Sequence, residues 1–185
     1  MNKNCEFECE RDGDACVVIN MTVKDDSNFL SVFSHNSDPV ISSEVADFIE
    51  NGADPFHHKE KITLRIYSNC IDQSEKKIYD SAIRNYYREK EIANTRSIKR
   101  NNAIVFLLLL LGIAVLGFSI FLESVFESAV WPEIVDIFAW VLVWESADIG
   151  IFKNNELRIK RKRYYSFINM KIEYCGLGEH PFDVA

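Results

Sequence analysis

Residues Ala103 to Leu122 read AIVFLLLLLGIAVLGFSIFL, twenty residues without one charge. An α-helix rises about 1.5 Å per residue, so this run extends roughly 30 Å, the thickness of a bilayer's hydrocarbon core. Few folds in water can bury a helix that is apolar on every face. A transmembrane helix is therefore the expectation for this stretch. Whole-chain averages conceal it: a mean hydropathy of -0.09, 26% charged residues and a net charge of -7 could describe an acidic soluble protein. The chain mixes two polar segments with a strongly apolar middle. With about 50 residues assigned to lipid, the remainder of the 185 suffices for one small cytosolic domain. The run begins far from Met1 and has no small-residue cleavage site, so it does not read as a signal peptide, and no lipidation signal is expected at either end.

A second apolar segment follows at 134–152, reading IVDIFAWVLVWESADIGIF and containing Asp136, Glu145 and Asp148. Trp131-Pro132 just before it suits a helix start at the interface, and Trp131, Trp140 and Trp144 are the expected interface anchors. An amphipathic helix lying on the membrane surface is the alternative for this segment. Charge patterning favours a second crossing. From Arg84 to Arg100 six basic residues face two acidic ones, and from Lys153 to Arg163 six face only Glu156. The connection 123–133 holds three Glu and no Lys or Arg. By the positive-inside rule both basic flanks are cytoplasmic and the turn 123–133 lies outside. The expectation is a two-helix transmembrane hairpin with spans 103–122 and 134–152, in the inner or plasma membrane, multi-pass, with both termini cytoplasmic.

The cytosolic parts read as a single α+β domain made from both ends of the chain. Residues 15–24 (ACVVINMTVK) have a strand's β-branched content, and 28–34 (NFLSVFS) is a candidate partner across an Asp-Asp-Ser turn. Ser42-Ser43-Glu44 opens a short helix, which Asn51-Gly52 ends. In 61–68 (KITLRIYS), Ile62, Leu64 and Ile66 alternate with Thr63, Arg65 and Tyr67, the clearest half-buried strand pattern in the chain. A long helix is expected over 72–100, with Ile78, Ala82, Ile83 and Tyr86 as its apolar stripe. It either runs directly into the first span or breaks near Asn101-Asn102. Residues 164–174 (YYSFINMKIEY) are expected to form a last strand that pairs with the N-terminal ones. The organisation so read is 1–100 cytosolic, ending in the long helix; 101–153 the membrane hairpin; and 154–185 a basic juxtamembrane segment with the completing strand.

Ionisable groups in hydrocarbon cost about 2.5–3.5 kcal/mol each on insertion scales, so the acids of the second segment call for a reason. Glu145 and Asp148 are three residues apart and share one helix face, while Asp136 belongs near the outer interface. Three readings stay open: a polar seam lining a pore or cation site, carboxyls packed against the first span and bonded to Ser119 or Ser146, or a shallow helix whose acids are wet. Trp140 and Trp144, four apart, read as packing or lipid contact. Gly112 and Gly117 are five apart rather than four, although Gly117 and Ala114 permit close helix approach. The basic cluster Lys160, Arg161, Lys162 and Arg163 directly follows a span, which favours contact with lipid headgroups over nucleic acid. The first sixty residues are acidic, thirteen Asp and Glu against four Lys and Arg, a face that is solvated or docks on a basic partner.

The five cysteines, Cys5, Cys9, Cys16, Cys70 and Cys175, all fall in segments assigned to the cytosol, and an odd count argues against a complete disulfide framework. Cys5, Cys9 and Cys16, with His35 or His57-His58, match no zinc pattern with paired CxxC knuckles, so no metal and no cofactor is expected. There is no phosphate-binding glycine loop, GxSxG, HExxH or CxxC pair, and His35, His57, His58 and His180 have no recognisable partner arrangement. No enzyme activity is expected. The string WVLVWES at 140–146 and the LRIYS strand with the helix after it resemble uncharacterised bacterial two-span membrane proteins. That resemblance implies a membrane protein and no particular activity. In architecture the chain also resembles two-span effectors of bacterial defence operons, in which a cytosolic sensor triggers membrane disruption, although no sensor motif can be matched residue by residue. The leading expectation is a cytosolic domain that senses a ligand or partner and is coupled to the membrane segment. The alternatives are an oligomeric pore with an acidic seam and a passive anchor for a cytosolic partner. Expected partners are the lipid bilayer, further copies of the chain, and a cytosolic protein or small molecule.

Overall fold

The computed structural model describes residues 16–35, 38–57, 60–125 and 130–176. Their elements run β1 (Cys16–Thr22), α1 (Ser43–Ala53), β2 (Lys61–Tyr67), α2 (Gln73–Val125), α3 (Val130–Ala147), a π-helical segment Asp148–Lys153, α4 (Asn154–Ile168) and β3 (Lys171–Cys175). Two compact units emerge. One comprises the residues up to Glu91 and those from Lys162 on, and the other is Ile92–Arg161. Cys5, Cys9, His58, His180, residues 126–129 of the turn, and the Cys16 and Trp131 side chains lie outside the described residues.

In the first unit the three strands form a parallel sheet in the order β1-β2-β3. Ile19 aligns with Leu64, and Leu64 in turn with Ile172. Parallel pairing requires a crossover between successive strands. Here α1 lies in the first connection, and α2, α3 and α4 lie in the second, so the chain that leaves the sheet through α2 comes back to it in β3. One sheet face buries Val17, Ile19 and Met21 of β1 with Leu64 and Ile66 of β2. The same core holds Ala46 and Ile49 of α1, Tyr79, Ala82, Ile83 and Tyr87 of α2, and Phe167 of α4. Tyr87 is wedged against Phe167 with ring centroids 4.6 Å apart. Burial holds its hydroxyl far above the ordinary tyrosine range.

Local signals explain the helix starts. Ser42 caps α1, its side chain accepting from the Val45 N–H. At α2 the Glu75 carboxylate accepts from the Asp72 N–H at 2.7 Å, half of a capping box. Where α4 gives way to β3, the Arg84 guanidinium takes the exposed carbonyls. It donates to Ile168 O and Met170 O, and its Nε holds Asp80 at 3.1 Å.

Several expectations are corrected. The sheet is parallel with helices between its strands, so the first unit has an α/β arrangement rather than the expected α+β one. Residues 28–34 are no strand: Ser27 N–H donates to Asp25 Oδ1 and Phe29 N–H to Asp26 O, closing turns there. Only isolated antiparallel bridges follow, Leu30 with Ile41 and His35 with Asp38. Of the expected stripe of α2, Ala82 and Ile83 are in the core and Tyr86 packs at its margin, while Ile78 is exposed and Tyr79 and Tyr87 are the buried aromatics. Residues 164–168 finish α4 instead of starting a strand.

The largest correction concerns the membrane segment. Among the described residues one helix, α2, is long and apolar enough to cross a membrane, and it runs without a break through Asn101-Asn102. The expected second span 134–152 is not another such helix. α3 has 18 residues and includes Glu133, Asp136 and Glu145, and at Asp148 the α-helix gives way to six residues of π-helix. No apolar helix of bilayer length is left there, so the two-helix transmembrane hairpin and the multi-pass topology do not stand.

Candidate functional site

In the second unit the usual polarity of a protein is inverted. Its large apolar side chains face outward, among them Phe106, Leu107, Leu110, Ile113, Ile120 and Phe121 of α2 and Ile137, Phe138, Trp140 and Trp144 of α3. Its buried residues include Asn94, Ser119, Ser146 and Asn154. Water would leave this surface a far larger apolar patch than monomeric soluble proteins expose. Lipid reverses the cost: there, small and polar residues belong between helices and large apolar ones outside.

The buried side of α2 is periodic. From Ile98 to Leu122 the positions shielded from solvent are 98, 101, 105, 108, 112, 115, 119 and 122, spaced alternately by three and four. That is a heptad seam. Polar groups bond across it. Asn94 Nδ2 donates to Leu157 O at 2.6 Å, Asn154 Nδ2 to Asn102 Oδ1 at 2.7 Å, and Ser146 Oγ to Val105 O at 3.3 Å. Close approach occurs at Gly112, where a Cβ would lie 3.0 Å from Val143 Cγ2 and 3.6 Å from Ala139 O. Gly117, expected to permit such an approach, faces open space, and Ala114 is exposed. Asn154 is 1% exposed, and its Oδ1 is buried without a partner.

Glu145 and Asp148 do not join the seam. Both turn to Lys153, whose Nζ lies 3.6 Å from Glu145 Oε1 and 3.4 Å from Asp148 Oδ2. The π-helix explains the pairing: its wider turn brings residues five apart into line, and Lys153 stands five after Asp148. The seam of the described residues thus carries amides and hydroxyls, while the two carboxylates share a lysine on the exposed side. Asp136 is half-buried. Trp140 and Trp144 are exposed, Trp144 to 74%. In the basic cluster, Lys160 pairs with Glu156 at 2.7 Å and Arg163 with Asp54, while Arg161 and Lys162 are exposed. Sequence reasoning missed the π-helix and the Asn102–Asn154 bond. The paired asparagines 101–102 and 154–155 were the available signal.

Two cavities of the first unit have linings made of described residues. One, of ≈ 490 Å³, is mostly apolar and is lined by Leu30, Val32, Phe33, Ile41 and Tyr86, with the Ser42 cap of α1 at its edge. The other, of ≈ 340 Å³, is lined by Glu60, Lys61, Ile62, Thr63, Tyr165, Ser166, Asn169 and Lys171. Beside it a polar row crosses the sheet, with Asn20, Arg65 and Glu173 in register. Arg65 Nε donates to Glu173 Oε2 at 3.2 Å, and Lys171 Nζ lies 2.7 Å from Glu173 Oε1. Lys171 and then Arg65 hold the Glu173 carboxyl below its ordinary range. Cys70 is exposed and Cys175 half-buried, both as free thiols. Among the described residues no three His, Cys, Asp or Glu side chains group so as to hold a metal ion. No protein-family model, curated protein or solved structure matches the chain.

Proposed function

We propose that this chain is a membrane-seated binding protein whose α/β unit takes a ligand or partner while the apolar half of α2 sits in the bilayer. The outward face of the second unit carries the reading: large apolar side chains cover it, while Gly112, Ser119, Ser146 and Asn154 are among the residues buried inside. The basic flanks 84–100 and 153–163 support a cytosolic place for the α/β unit. α2 contributes residues to both units. The reading assigns the protein no catalysis and no cofactor.

Tryptophan fluorescence tests the membrane seat, since all three tryptophans lie within Trp131 to Trp144. In liposomes of brominated lipid the full chain is expected to be quenched by the acyl chains and to be shielded from acrylamide. Strong acrylamide quenching with no effect of bromine overturns the reading.

A further inference from the structure

The smaller cavity of the α/β unit has the chemistry of an anion site. β2 begins at Lys61 and β3 at Lys171, and Lys171 aligns with Thr63. Lys61 precedes Thr63 by two residues, so all three side chains leave the same sheet face. Two residues along a strand and one strand across put the two lysine Cα atoms roughly 8 Å apart. Flexible ammonium arms from such positions can converge on one anion. The end of α4 adds Tyr165, Ser166 and Asn169 to the lining. The Ser166 hydroxyl is held near the helix by Lys162 O at 3.2 Å, and Asn169 by Tyr165 O at 2.9 Å. Lys61 is exposed and has no ion-pair partner among the described residues. Lys171 is shared with Glu173, which already has Arg65. Two lysines against Glu60 leave this lining positive in a chain of net charge -7. The volume falls within the range of small-molecule sites.

We propose that this cavity binds a phosphomonoester, with the Lys61 and Lys171 ammonium groups and the Thr63 and Ser166 hydroxyls on the phosphate oxygens and the Tyr165 ring against the organic part. A phosphate dianion offers three acceptor oxygens, which suits two cations and two hydroxyls better than a carboxylate does. The phosphate has two sources, a soluble nucleotide or a lipid headgroup of the phosphatidic acid type. The site rests on the binding role given to the α/β unit above.

The test uses the full chain in maltoside micelles, which contain no phosphate. Calorimetric titration with adenosine monophosphate forms one arm, and titration with dihexanoyl phosphatidic acid the other. Saturable binding is expected in at least one arm, and the arm that binds names the source. Lys61→Gln and Lys171→Gln should each weaken it about tenfold or more. Lys61→Arg should retain binding, and Lys24→Gln, exposed and outside the cavity, should not change it. Saturation in neither arm overturns the site, as does equal affinity in wild type and in both glutamine variants. If the site fails while the tryptophans are still quenched by brominated lipid, the membrane seat stands without it.

Discussion

A double-mutant cycle at Gly112 and Val143 reads the α2–α3 contact directly. A Cβ on Gly112 would meet Val143 Cγ2 at 3.0 Å. Carbon atoms prefer about 3.5–4.0 Å, so the valine must give way by a few tenths of an ångström. On a helix its χ1 is stiff, and an off-rotamer displacement costs about 0.5–1.5 kcal/mol. Replacing a helical glycine by alanine stabilises by about 1 kcal/mol. The two effects nearly cancel in Gly112→Ala alone. Val143→Ala alone removes two partly buried methyl groups and should cost about 1 kcal/mol. In the double variant the clash is gone and the helix gain remains, so stability returns close to wild type. The expected coupling is about 1 kcal/mol in favour of the pair. Gly117→Ala, with nothing within 4 Å of its new methyl group, is the control and should couple to nothing. Reversible unfolding of the full chain in mixed dodecyl sulfate and maltoside micelles supplies the four stabilities. Additivity within about 0.3 kcal/mol would refute the close approach at Gly112.

Three further outcomes probe the α/β unit. Phe167→Ala empties a fully buried site against Tyr87 and should cost about 3–5 kcal/mol by chemical denaturation; a loss below 1 kcal/mol contradicts the described core. Arg84→Ala leaves the Ile168 and Met170 carbonyls without their donor and should cost about 1–3 kcal/mol. Arg84→Lys should recover little of that, because an ammonium lacks the guanidinium fork. Tyr174 donates to Lys76 O at 3.1 Å, and burial, with Asp80 nearby, pushes its hydroxyl up to about 12. A raised pKa in the folded state contributes stability that is present below the unfolded value near 10 and lost as pH rises toward 12. Ultraviolet titration should therefore show a phenolate forming near 12 that Tyr174→Phe removes, and an unchanged titration curve in that variant contradicts the assignment.

Legibility followed the strength of each local pattern. Alternation in 61–68 marked β2 because one strand face must be apolar, and the serine cap marked α1. The heptad seam of α2 was hidden because Leu, Ile, Val and Phe fill both its inner and outer positions. Only Gly112 and Ser119 differ from their surroundings, and hydropathy cannot say which face such residues take. The second apolar segment was over-read for a related reason. Isoleucine, valine and tryptophan dominate its average, while Glu133, Asp136 and Glu145 decide whether a helix can cross lipid. The π-helix had no advance signal in the Asp148–Lys153 stretch, whose residues suit an α-helix as well. In 164–174 an imperfect alternation stood against a helix already under way from Asn154, and the helix held until Ile168. Lys61 and Lys171, 110 residues apart, were brought to one cavity only by the register of β2 with β3.

The lipid seat of α2 meets its most direct test in membrane flotation. Membranes containing the full chain are washed with alkaline carbonate and urea, then centrifuged upward through sucrose. The protein should float with the lipid and leave it only when detergent is added. A chain that the wash releases as a folded monomer, stable in buffer without detergent, would contradict the account.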